Sequence, residues 1–192
     1  VIQNAAKMAG IEDDTLLSIP FDDKEVFDMI SAGKTDGVFQ LESGGMKSFM
    51  TELKPECMED ILAGNALYRP GPMDNIPSYI KRKHGEEEIP YLPPMLEPIL
   101  KETYGIMIYQ EQVMNIARAL GGYTMGGADK LRKVMGKKMR DEIPKQRKMF
   151  MEGAVKNGIE EATAGAIFDQ MEKFASYGFN KSHAAAYSLV SY

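Results

Sequence analysis

Apolar residues recur at helical spacing in nearly every stretch between one glycine or proline stop and the next, and this constrains the chain more than any other feature. Met46, Phe49, Met50 and Leu53 fall at i, i+3, i+4 and i+7, the pattern of a helix with one buried face. Met58, Ile61, Leu62 and Ala66 repeat it, as do Val113, Ile116, Ala117 and Leu120, and then Ala164, Ile167, Phe168, Met171 and Phe174. Pro55, Gly33, Gly85 and the Asn157–Gly158 pair mark the ends of such helices, because proline removes a donor and glycine accepts the left-handed cap. The expected fold class is mainly α, a multi-helix domain with at most a short strand. That strand is Gly105 to Gln110, GIMIYQ, which also reads as the lead into a helix.

Local signals place the remaining ends. Residues 1–10 read as a helix tail closed by Gly10, and Ile11 to Pro20 as connector. Asp22 followed by Glu25 has capping-box spacing for a helix through about Ala32. The acids Asp13, Asp14, Asp22 and Asp23 are read as caps and surface rather than as a metal site. Pro90 to Pro98 is proline-rich connector, and Leu67 to Met73, LYRPGPM, is a rigid turn presenting Arg69.

Charge is distributed unevenly. From Lys130 to Lys148 there are nine Lys/Arg against two acids, a net +7 in a chain whose total is −5, so the remainder carries −12. One cationic segment in an acidic chain points to phosphate as its partner; a solvated helix face is the bland alternative. Thr124 caps the expected helix and Gly136 stops it. Ala128, Leu131 and Met135 share its inner face, and Lys130, Lys133 and Lys137 the outer one. Arg132 lies at the edge, held by packing with its fork outward. Gly126 and Gly127 in the first turn imply close approach of a backbone or ligand. Lys81, Arg82 and Lys83 form a second basic cluster, partly cancelled by Glu86, Glu87 and Glu88.

Two helix starts have the form of an anion site, where backbone N–H groups are free. One carries Tyr109 and Gln110. The other carries Asn180, Lys181, Ser182 and His183. A Ser182–His183 catalytic pair is set aside, since neighbours on a helix do not face each other. A single cysteine, Cys57, excludes an internal disulfide and suits the cytoplasm. No apolar run is long enough to span a bilayer. Fifteen methionines and no tryptophan suggest an adaptable core or mobile surfaces. Both ends look cut from something longer.

The longer motifs resemble a known family. GVFQLES, ALYRPGPM, TYGIMIYQEQVM, GGYTMGGADKLRKVMGKK, MFMEGAVKNGI and EKFASYGFNKSHAAAYSLVSY occur in order over nearly the whole chain. Together they resemble the fingers region of the C-family bacterial replicative DNA polymerases, the DNA polymerase III alpha subunits. The resemblance implies a fingers domain over residues 21–192, truncated at its C-terminal end, with 1–20 a connector following an absent palm. It implies a bacterial, cytoplasmic protein of DNA replication, part of a DNA-directed DNA polymerase, a nucleotidyltransferase. Two magnesium ions would be held by three aspartates of that palm, so no catalytic or metal-binding residue is assigned here and the fragment alone is expected to be inactive. Partners implied are the incoming dNTP, template–primer DNA, the palm and remaining domains, and the sliding clamp and other replicase subunits through absent regions. Carried over residue by residue, the nucleotide-binding candidates are Arg132, Lys133, His183 and Tyr109, with Arg69, Lys137, Asn180 and Lys181 behind them. The family commonly has a second arginine where Lys133 stands, and alanine where Val134 stands; lysine keeps the charge and loses the fork. Two alternatives from the residues alone are a helical module binding nucleic-acid backbone and a protein-interaction module.

Overall fold

The glycine and proline stops divide the chain largely where the periodicity ends. The computed structural model describes residues 1–12, 15–16, 18–91 and 93–192; the reading of Asp13 and Asp14 as caps lies outside them. The helices among the described residues are α1 (Ile2–Met8), α2 (Lys24–Ser31), α3 (Gly44–Leu53), α4 (Met58–Leu67), α5 (Ile76–Lys83), α6 (Glu97–Leu100), α7 (Gln110–Gly121), α8 (Met125–Gly136), α9 (Ile143–Lys156), α10 (Glu161–Ala175) and α11 (Lys181–Ser191). Among those residues, none is long and apolar enough to cross a membrane. Within the connector at Pro90–Pro98, a 3-10 turn at Pro94–Leu96 leads into α6.

Side-chain caps fix several starts. Ser43 accepts from Met46 N at 3.3 Å, Thr124 from Gly127 N at 3.1 Å and Asn180 from His183 N at 2.9 Å. At α2 the cap is Asp23, accepting from Glu25 N at 2.9 Å, rather than Asp22. The choice is tertiary: Asp23 N donates to the Tyr192 hydroxyl at 2.8 Å, from the far end of the chain.

The apolar faces meet in two cores. The first gathers α2 to α5 with Ile106, Ile108, Tyr109 and, from α11, Ala184. The second gathers α7 to α10, with Ile116, Leu120, Leu131, Phe150 and Phe168 at its centre. Burying each such large side chain contributes about 1.5–3 kcal/mol. Gly153 on α9 lies against the end of α7 so closely that a Cβ there would collide with the Gly121 carbonyl. Gly126, by contrast, faces open space. No backbone approaches it, so of the two reasons expected for that glycine the close backbone is ruled out.

The expected strand at Gly105–Gln110 reduces to one parallel bridge, Tyr109 with Phe179. Gln110 N donates to Phe179 O at 2.9 Å, and Phe179 N to Ile108 O at 3.1 Å. Pairing stops there because α7 begins at Gln110 and Asn180 already caps α11. This bridge joins the segment between the cores to the loop that leads into α11.

Candidate functional site

The loop Tyr177–Asn180 collects contacts from three directions. Arg69 arrives from the rigid turn after α4. Its Nε donates to Ala66 O at 2.9 Å, satisfying a carbonyl at the end of α4, and its Nη2 donates to Tyr177 O at 2.9 Å. The guanidinium lies 4.4 Å from the centre of the Phe179 ring, a cation–π contact. Burial pushes the Arg69 pKa down; arginine starts high enough to stay charged at neutral pH. The turn needs Gly71, whose φ is 100°, because any Cβ would meet the Tyr177 ring at 2.7 Å.

Beyond Phe179 the rings continue as a ladder. His183 sits 5.4 Å from Phe179 and 4.2 Å from Tyr187, and Tyr187 sits 5.2 Å from Phe39. These rings and Arg69 line a cleft of about 500 Å³, together with Ser43 and Asn65. Asn65 Nδ2 donates to Ser188 Oγ at 2.9 Å, while its buried Oδ1 has no hydrogen-bond partner among the described residues. The cleft therefore offers a permanent cation, aromatic faces and an imidazole, a set suited to a flat heterocycle carrying an anion.

Arg132 approaches the same loop from the α7–α8 side and does not line the cleft. Its Nε and Nη2 donate to Asp129 Oδ1 at 3.1 and 2.7 Å, and its Nη1 to Gln110 Oε1 at 3.3 Å. Gln110 in turn donates from Nε2 to Gly178 O at 3.0 Å. Lys133 pairs with the other oxygen of Asp129 at 2.6 Å. Hydrogen bonds from Lys133 and Arg132 hold the Asp129 carboxyl below its ordinary pKa. The inner face of α8 is buried as expected, at Ala128, Leu131 and Met135 with Val134 added. Lys137 is exposed just past the end of α8.

Asn180 and Lys181 are not open to an external anion. The Glu111 carboxylate accepts from Asn180 Nδ2 at 3.1 Å and from Lys181 N at 3.1 and 3.2 Å, filling the α11 N-terminus. Lys181 Nζ pairs with Glu102 at 2.6 Å. Tyr109 is 2% exposed and belongs to the core. Burial drives its hydroxyl pKa far up, so the ring supports the bridge and meets Lys181 Nζ at 5.6 Å rather than facing solvent. Its backbone N–H, expected to be free, donates to Gln112 Oε1 at 2.9 Å.

Two cations of the second basic cluster, Arg82 and Lys83, are spent internally, while Lys81 is exposed. Arg82 donates to Glu87 at 2.7 Å and to Tyr104 O at 3.3 Å. Lys83, its side chain 4% exposed, pairs with Glu56 at 3.0 Å and Asp60 at 3.4 Å. Neither reaches outward toward a nucleic-acid backbone. Two contributors to the site went unread in the sequence. The cations Arg132 and Lys133 stand at i+3 and i+4 from Asp129, a legible spacing. Glu111 meets residues 69 and 70 positions away, and no local signal announces that.

Comparison with known proteins adds the context of this site. Residues 1–158 match the family described as the bacterial DNA polymerase III alpha subunit finger domain. The DNA polymerase III subunit alpha of Chlamydia trachomatis is 57% identical over 175 residues, covering 91% of this chain and 14% of that protein. The Escherichia coli K12 protein of the same name is 55% identical over 184 residues, covering 92% and 16%. That of Pseudomonas aeruginosa is 51% identical over 199 residues, covering 100% and 17%. The chain thus spans between 14% and 17% of the length of these relatives.

Proposed function

This chain belongs to the finger-domain family of the bacterial DNA polymerase III alpha subunit, and on that premise we propose that it binds the incoming dNTP and contacts template–primer DNA. Residues 21–192 form the nucleotide-binding body, with 1–20 a connector from a palm elsewhere in the parent polymerase. The observation that carries this is that Arg69 and His183 contact one short loop, Tyr177–Asn180, beside an aromatic cleft, and that Arg132 is tied to the same loop through Gln110. Arg69 and His183 border the cleft itself, where a base and sugar find flat partners. Arg132 and Lys133 stand on the α8 side, where a triphosphate finds fixed positive charge.

The chemistry suits phosphoryl transfer. Pyrophosphate leaves carrying developing negative charge, and prepositioned cations stabilise it without reorganisation. Arg132 retains two of its five N–H groups after its contacts within the chain, enough for one phosphate. Lys137 and the outer α8 lysines add field rather than geometry, and they hold DNA phosphates with strong salt dependence. Asn180 and Lys181 contribute only once Glu111 and Glu102 give way.

Among the described residues, no three His, Cys, Asp or Glu side chains gather to hold a metal ion. Magnesium in the parent belongs to its palm in this reading, and the chain alone extends no primer. In the full-length polypeptide that carries this chain, Arg132→Ala should lower kcat/KM for dNTP about a hundredfold, the loss of two charge-assisted hydrogen bonds. The Kd for primed DNA should stay within twofold. Unchanged kcat and KM would remove Arg132 from the site.

A further inference from the structure

Gln110 makes three connections to its surroundings, and all bear on the same loop or on Arg132. Its backbone N–H donates to Phe179 O at 2.9 Å, and its side-chain Nε2 to Gly178 O at 3.0 Å. Its Oε1 accepts from Arg132 Nη1 at 3.3 Å. The amide has no freedom to flip, because a guanidinium only donates and a carbonyl only accepts. Among side chains of this length, only glutamine satisfies both ends: glutamate cannot donate, and methionine does neither. The seat is close-fitting as well. A Cβ at position 178 would stand 3.0 Å from Gln110 Cγ, so the loop passes the Gln110 stem at glycine distance.

We infer that Gln110 is a positioning residue that registers the Arg132 guanidinium to the Tyr177–Asn180 loop, so that the phosphate-side cation and the aromatic wall of the cleft meet one nucleotide together. This rests on the nucleotide-binding reading above. Asp129 takes the Nε–Nη2 edge of Arg132, and Gln110 takes Nη1. The first contact is local to α8 and fixes the rotamer. The second crosses from α8 to the start of α7, where Gln110 also holds the loop, and fixes where that rotamer points relative to Phe179 and His183. Nearby Lys133, which has Asp129 but no contact to Gln110, gains no such registration.

The test uses steady-state incorporation and primed-DNA binding by the full-length polypeptide carrying this chain. Gln110→Met keeps length and removes both hydrogen bonds. It should raise the KM for dNTP about tenfold, as one lost hydrogen bond to a charged group would, and leave the DNA Kd within twofold. In an Arg132→Ala background the same replacement should change KM less than twofold. Gln110→Glu keeps an acceptor for Arg132 and opposes Gly178 O, so it should also raise KM, because registration needs both ends. Equal losses in the two backgrounds, or a Gln110→Glu protein with unaltered KM, would overturn the inference. A Gln110→Met protein with normal KM beside an impaired Arg132→Ala protein would overturn it too, while leaving the nucleotide-binding reading intact. If Arg132→Ala is itself without effect, that reading falls and the inference with it.

Discussion

Two short basic helices, α5 and α8, look alike in sequence and serve opposite ends. Each carries consecutive cations near its C-terminal turn, Lys81-Arg82-Lys83 in one and Arg132-Lys133 in the other. Each has a lysine paired with an aspartate. Lys83 meets Asp60 at 3.4 Å, and Lys133 meets Asp129 at 2.6 Å. The longer contact is the structural one. Lys83 and Asp60 side chains are 4% and 3% exposed, whereas Lys133 and Asp129 are 57% and 34% exposed. Ion pairing in water contributes little, while an unpaired charge out of water is costly. Separation therefore does not rank these pairs; access to solvent does. One helix uses its charge to hold α4 against α5, and the other keeps its charge available.

The sharpest way to break this contrast is Lys83→Met. It leaves Asp60 buried and uncompensated, and should cost about 3–5 kcal/mol. Native-state hydrogen exchange of α4 and α5 amides in the full-length polypeptide reads this directly, and dNTP KM should not follow it. Protection unchanged in α4 would mean that the Asp60 charge is relieved by water, and the distinction between the helices would vanish.

Asp129→Asn is the matching change on α8, and its structural effect should be far smaller. It loosens Arg132 and Lys133 without leaving a buried charge, so α8 protection should stay at its wild-type level. The same variant should steepen the salt dependence of DNA binding, since two cations lose their internal partner. Loss of protection across α8 comparable with that from Lys83→Met would show that the α8 cations are structural too.

The sequence made one half of this difference readable. Met46, Phe49, Met50 and Leu53 are all buried, as their spacing predicts, and so are Val113, Ile116, Ala117 and Leu120. Such faces depend on positions within a turn or two. The Thr124 and Asn180 caps are equally local. What decides the fate of a cation is remote: Lys83 finds Glu56 27 positions away, and Arg69 finds Tyr177 108 away. The α11 start shows the same dependence: its own residues have the composition of an anion site, and the carboxylate that fills it, Glu111, comes from α7. Even at α2, where the spacing names Asp22 and the cap is Asp23, the capping residue is tied to Tyr192, 169 residues on. Local pattern gives faces and caps; pairing across the chain gives which charges remain for a ligand.

The smallest expected effect is a pH response, and it tests burial against pairing within a single side chain. Burial pulls the Lys83 pKa down, while the hydrogen bond to Glu56 and the charges of Asp60 and Glu56 pull it up, and the net direction is up. A lysine with a raised folded-state pKa contributes stability that is fully present below the unfolded value of about 10.4 and is lost as pH rises through the folded one. The methyl resonances of Ile61 and Leu62 should therefore stay unmoved from pH 7 to about 10 and shift only beyond it. On the acid side Glu56 and Asp129 both have depressed pKa values. Their contributions are present above the ordinary carboxylate range of about 3.9–4.3 and fade as pH falls through the lower folded values. Movement at Ile61 well below pH 10 would mean that desolvation outweighs the partners of Lys83. The pair that holds α4 to α5 would then be a strained contact instead of a fastening.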